Sequence, residues 1–190
     1  MDKIKKWETI FLCFSLIALA GLGYIVANLI SFYNELSHPV SLIILFLLGG
    51  LTFVLLPYKL MGHLLSDESG QTLKFRKVSY LVFMLGLIAI ALIFEFDLAD
   101  VMHAIIIASF EEFLFRYVIY TLLSYKFSHR SSLILTAFIF GFFLHLNGDF
   151  LTNALVRFPA GIVLQILCNR FGLEYSILLH ALNNIIAGLV

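Results

Sequence analysis

The sequence predicts an all-α, polytopic transmembrane bundle of about seven helices. Three observations predict it. Of the 190 residues, 62% are hydrophobic and only 13% charged, against roughly 25% charge in an ordinary soluble domain. The mean hydropathy is +1.03. The apolar residues also run continuously and do not alternate, which argues against a β-barrel. A disordered chain lacks such apolar content, and a soluble domain needs more surface charge than this.

A helix needs about 20 apolar residues to cross the hydrocarbon core, and six or seven stretches qualify. The first covers residues 9–30. Lys3, Lys5 and Lys6 precede it, and Ala18-Leu19-Ala20 has the form of a signal-peptidase site. The apolar run continues past that point, so it reads as a retained helix. The second covers 40–60 and the third 78–94. The fourth, 101–124, is unusual in carrying charges. The fifth is 132–146. The sixth, 154–168, has Arg157 near its start, and the seventh is 173–190. The fifth and sixth are short, so one of them could be tilted or re-entrant. The polar stretch 66–76 reads as a solvated connector. No internal repeat is visible, and residues 1–190 read as one integral-membrane domain with its chemistry in the C-terminal half.

The charges divide cleanly. With the N-terminus cytoplasmic and seven crossings, the inner pieces hold Lys3, Lys5, Lys6, Lys59, Lys74, Arg76, Lys77, Lys126, Arg130 and Arg170. The outer pieces hold Glu35, Glu95, Asp97, Asp100 and Asp149 and no Lys or Arg. That is the positive-inside pattern, and a miscounted helix would scatter it. The 12 basic residues balance the 12 acidic ones, and no basic stripe offers a footprint for nucleic acid. Cys13 and Cys168 lie in apolar stretches without a CxxC neighbour and read as core residues.

Ionisable groups inside spans cost about 2.5–3.5 kcal/mol each at a helix centre and mark function or pairing. The fourth span has Glu111, Glu112 and Arg116, the fifth His145, and the seventh His180, Asn183 and Asn184. Glu112 and Arg116 are four apart, on one face, in the favourable order. Arg116 is permanently charged and needs a carboxylate, and Glu112 is the natural one. Glu111 sits about 100° round the helix. It is the less neutralised carboxylate, the kind of group that suits a general base. His180 and Asn184 also share a face, so Asn184 could orient the imidazole or donate to an oxyanion. Each residue has a plainer reading as well. A Glu–Arg pair can lock helices together, an intramembrane His can be a packing residue, and Arg157 can snorkel outward or meet a carboxylate. The combination on three helices favours chemistry.

These residues resemble a known family. Glu111-Glu112-Phe-Leu-Phe-Arg116 matches the EExxxR motif of the CAAX prenyl protease 2 and bacteriocin-processing (CPBP, abortive-infection) family of intramembrane proteases. His180-Ala-Leu-Asn-Asn184 matches its HxxxN motif. The FxxxH motif between them is displaced. His145 matches the histidine, but Gly141 holds the aromatic position and Phe140 comes one residue early. The resemblance covers roughly residues 101–190. It implies that Glu111 and His145 activate a water for attack on a peptide carbonyl. It implies that His180 and Asn184 steady the oxyanion, and that Glu112 and Arg116 hold the fourth span in register. It also leaves two cofactor readings. One is metal-free glutamate chemistry, favoured because the chain has no HExxH. The other is a zinc ion on Glu111, His145 and His180, with a position open.

The expectation is therefore an intramembrane endopeptidase in a bacterial cell membrane. It would act on membrane-associated peptides or proteins, in bacteriocin processing or self-immunity ahead of CAAX-type cleavage. A catalytically silent scaffold of the same fold and a small ion-coupled transporter are the competing classes. One tension stands. Seven crossings put Glu111 on the outer side of the bilayer centre, His145 further out and His180 on the inner side, whereas one site needs them together.

Overall fold

The computed structural model describes residues 4–65, 73–144 and 148–188. These form seven helical rods, and the described residues contain no strand. Helix α1 is Lys6–Tyr33, α2 is His38–Leu64, and α3 is Lys77–Ile93. Helix α4 runs unbroken over residues 98–124. Helix α5 is His129–Phe142, α6 is Phe150–Arg170, and α7 is Leu173–Gly188. Three of them, α1, α2 and α6, are long and apolar enough to cross a membrane by length and composition alone. Large apolar side chains on the outer faces, such as Phe11, Val78, Ile93 and Leu155, are more than two-thirds exposed. In a bilayer these are the lipid-facing residues.

Boundaries differ from the sequence expectation where a cap decides them. Helix α4 starts at Leu98, not at residue 101, because the Asp97 carboxylate accepts from the backbone N–H of Ala99 and Asp100. Helix α6 starts at Phe150, not at 154, because Asp149 caps it through Thr152. With 21 residues, α6 is no longer short. The short one is α5, whose 14 residues span about 21 Å at 1.5 Å per residue. Residues 66–72 of the polar connector lie outside the described residues.

Three rods contain a π-helical segment: Gly50–Leu55 in α2, Phe113–Ile119 in α4 and Asn153–Arg157 in α6. Two of these run directly up to a proline turn, at Pro57 and Pro159. Proline lacks the N–H that the helical ladder needs, and a widened turn accommodates the gap. The segment in α4 contains no proline; it carries Arg116.

Helix α4 is the hub. One apolar cluster joins it to α1, α2 and α5 through Cys13, Leu16, Ala20, Phe53, Leu114, Phe115, Ile119 and Phe140. Another joins it to α3, α6 and α7 through Met84, Leu87, Ile105, Ala108, Cys168 and Ile177. The two cysteines thus sit in different clusters, and both are free. Ala18 to Ala20 lie inside the unbroken α1, with Ala20 fully buried.

The rod ends sort by charge. Lys6 lies over Phe127 near Lys126. Asn169 reaches Tyr120, and Lys74 reaches the carbonyl of Asn169. Arg76 donates to the fully buried Glu174 and to the Phe171 carbonyl. Basic residues therefore gather at one end, while Asp97 caps α4 and Asp100 sits in its first turn at the other. Such a division fits seven antiparallel crossings.

Helices α5 and α6 approach closely through glycine. A Cβ on Gly141 would meet the Phe158 backbone at 2.9–3.0 Å, and one on Gly161 would meet Ala137 at 3.1–3.3 Å. Small residues permit such contacts between membrane helices. Gly141→Ala should lower stability by about 1–3 kcal/mol, the usual cost of overpacking, read as an earlier thermal midpoint in detergent. An unchanged midpoint would mean that the two helices can separate at no cost.

Candidate active site

Glu111 and Glu112 close the α-helical part of α4, and Arg116 follows in its π segment. Helix α7 packs along α4 and brings Ser176 and His180 against them. The site is built around Glu112, whose side chain is fully buried. Arg116 Nε donates to its Oε2 at 2.8 Å, and Arg116 Nη2 donates to Oε1 at 3.1 Å. The Ser176 hydroxyl also donates to Oε2, and His180 Nδ1 lies 2.9 Å from Oε1. Each oxygen thus faces two donors, and a carboxylate oxygen has about two acceptor positions. Glu112 is saturated and has nothing left for a substrate.

This saturation fixes the histidine. A carboxylate paired with Arg116 only accepts, so the hydrogen on His180 belongs at Nδ1, an assignment made from the bonding network. The other nitrogen, Nε2, then points at Glu111, 3.6 Å from its Oε2. Glu111 has 13% of its side chain exposed, and no Arg or Lys contacts it among the described residues. The two neighbouring glutamates therefore differ in their surroundings. Glu112 is saturated with donors, and Glu111 faces an imidazole with its oxygens open.

Arg116 is held from several sides. Its Nη1 donates to the Gly161 carbonyl at 3.3 Å, and its guanidinium lies over the Phe140 ring at 4.5 Å. Phe140 in turn sets its edge against the His180 ring, 5.7 Å between centroids. The displaced aromatic of the FxxxH motif is thus the one that touches the site. Gly141 cannot be aromatic here, because the α6 backbone at Phe158 passes where its side chain would be. Gln165 Nε2 also donates to the Arg116 carbonyl at 3.3 Å.

Asn184 lies one turn beyond His180. No hydrogen bond joins it to the imidazole; Glu112 orients the ring instead. Asn184 lines a cavity of about 370 Å³ together with His180, Asn183, Phe140 and Arg157. Arg157 meets no carboxylate among the described residues. It donates to Asn153 Oδ1 and faces this cavity. His145 lies outside the described residues. Among the described residues no group of three His, Cys, Asp or Glu is arranged to hold a metal ion. Glu111 and His180 Nε2 are two donors of the zinc set named from the sequence, and His145 is the third.

Sequence reasoning missed Ser176, Gln165 and the cavity-facing role of Arg157. A signal for Ser176 was available, since Ser176, His180 and Asn184 are spaced by four along α7 and share a face. Gln165 gave none, because its partner is a backbone carbonyl on another helix, 49 residues away.

The model of the Type II CAAX prenyl endopeptidase Rce1-like family matches residues 77–186, more than half of the chain. The chain belongs to this family. A search of curated proteins and one of solved structures each found no match. The match takes in α3 to α7 and all the candidate residues, and it begins upstream of the motifs, at the first residue of α3. Membership in a peptidase family agrees with the membrane-type bundle and with the resemblance carried by Glu111, Glu112, Arg116, His180 and Asn184.

Proposed function

We propose that this protein is an intramembrane endopeptidase that cleaves the tail of a membrane-associated, lipid-modified protein or peptide by attack of a water activated at Glu111. The observation that carries the reading is the Glu111–His180 pair beside a cavity, with the neighbouring Glu112 wholly occupied in holding the imidazole. The family description makes a CAAX-type tail the leading substrate class, ahead of the bacteriocin substrates that the motif resemblance alone favoured.

In this mechanism Glu111, with His145, takes a proton from water as the water oxygen bonds to the peptide carbonyl carbon. The carbonyl π electrons move to oxygen, and the tetrahedral oxyanion faces His180 and the Asn184 amide. A donor role for His180 Nε2 asks for the doubly protonated ring, with the Glu112 carboxylate at Nδ1 and the developing oxyanion at Nε2 facing its charge. Donors aimed at developing charge contribute about 2.7–4 kcal/mol each in comparable sites. The proton on Glu111 then passes to the leaving nitrogen as the C–N bond breaks. The products are a new carboxylate and a free amine.

The test is direct. Purified protein in liposomes should release the last three residues from a peptide that ends in a farnesylated cysteine and three further residues. Absence of release under conditions where the protein is folded would sink the protease reading and leave the scaffold reading in its place. The proposed chemistry uses no metal. Dialysis against a strong chelator should therefore change the rate less than twofold; a loss restored by zinc would move Glu111, His145 and His180 to the role of ligands.

A further inference from the structure

We infer that Arg157 is the anchor for the terminal carboxylate of the substrate tail, and so determines specificity for a free chain end. The inference rests on the protease reading above.

Two arginines lie within the spans, Arg116 and Arg157, and their surroundings differ. Arg116 is neutralised by Glu112 and capped by the Gly161 carbonyl. Arg157 sits two turns into α6, in its π segment. Its Nη1 donates to the neutral amide oxygen of Asn153. Among the described residues no carboxylate lies within ion-pair distance of it. A guanidinium has five N–H donors in a planar fork, so most of this one is unspent. Intramembrane charges are expensive and persist when paired or functional. Among the described residues Glu111 feels the charge of Arg157 without pairing with it, and a guanidinium left open on a cavity wall suits an anion that enters the cavity.

The cavity says which anion. Arg157 shares its wall with His180 and Asn184, the two groups proposed to face the oxyanion. Its volume of about 370 Å³ lies in the range of sites for small ligands, roughly 300–1,000 Å³. A tail cut three residues from its end carries its α-carboxylate within about 10 Å of the scissile carbonyl when extended, at 3.3–3.6 Å per residue. Both ends of that tripeptide then fall in one cavity. Arginine and carboxylate match as a two-pronged pair, and the pair would fix the distance from the chain end to the bond that breaks. An endopeptidase would thereby count residues from the C-terminus.

The experiment compares two forms of the same farnesylated peptide, one ending in a free acid and the other in an amide. Wild-type protein should prefer the acid by at least tenfold in kcat/KM, mostly through KM. Arg157→Gln should bring the acid-to-amide ratio close to one, and Arg157→Lys should restore part of it. Equal cleavage of acid and amide by wild type would overturn the proposal while leaving the protease reading intact. A proportional loss on both peptides in Arg157→Gln, carried by kcat, would also overturn it. Arg157 would then be a counter-charge for Glu111 or a contact for lipid phosphate. Equilibrium binding of the two peptides to the Glu111→Gln protein, with and without Arg157→Gln, separates the two claims. Acid-selective binding that depends on Arg157, without cleavage by wild type, would keep the anchor and remove the protease. Equal binding of acid and amide, without cleavage, would remove both.

Discussion

Glu111→Gln should abolish peptide cleavage, lowering kcat by about 10²–10⁴-fold, the usual range for loss of a general base, while leaving the bundle folded. The substitution keeps the shape of the side chain and removes its capacity to take a proton. Its structural cost is small, because the polar partner of Glu111 among the described residues is His180 Nε2 at 3.6 Å. Glu112→Gln offers the sharp comparison. It is the same change one residue along, at a carboxylate that faces four donors. That variant should lose thermal stability as well as activity. Rate and melting temperature, measured on both proteins in one detergent, would show activity loss alone for the first and both losses for the second. Full cleavage by Glu111→Gln would end its assignment as the base. An unchanged cellular phenotype for that variant would favour the scaffold class.

The division between these glutamates was legible in the sequence because it depends only on helical angles. Glu112 and Arg116 are four apart on α4, and that local rule survived folding. The seven rods were legible for a similar reason, since continuous apolar runs decide them one at a time. What joins α4 to α7 was not legible. The sequence placed Glu111 and His180 on opposite sides of the bilayer centre. The structure places them in contact, and the Asp97 cap accounts for much of the difference. Counting from Leu98, Glu111 lies about 20 Å down α4, and His180 lies about 10 Å up α7 from Leu173, at 1.5 Å per residue. The two depths sum to the roughly 30 Å thickness of a hydrocarbon core. A start at residue 101 leaves them several ångströms apart. Gly141 is a second case. Its departure from the motif looked like a local defect, but it follows from the passage of the α6 backbone at Phe158. No reading of α5 alone contains that contact.

Removing Arg116 should be the most damaging single change to the fold. Arg116→Met would leave Glu112 charged with its side chain at 0% exposure, and breaking one half of a buried pair costs about 3–5 kcal/mol. The expected readout is loss of the folded fraction in detergent, or a melting point too low to purify. Arg116→Met combined with Glu112→Gln should recover most of that stability. A neutral amide carries no stranded charge. Its oxygen can still accept from His180 Nδ1, and the Ser176 hydroxyl can turn to accept from its NH₂. Activity should not return with it. The imidazole of the double variant is held in place but has lost the Glu112 charge at Nδ1, and Glu111 loses its own charge when it takes the proton from water, so the doubly protonated form needed at the oxyanion is less supported. In serine proteases, replacing the orienting carboxylate by an amide costs about 10⁴ in kcat with geometry intact. A loss of at least 100-fold in the folded double variant is the corresponding expectation here. A double variant no more stable than Arg116→Met would show that the buried pair is not what the fold depends on. One that is both stable and fully active would show that Glu112 serves packing alone, and His180 would then need another source for its charge.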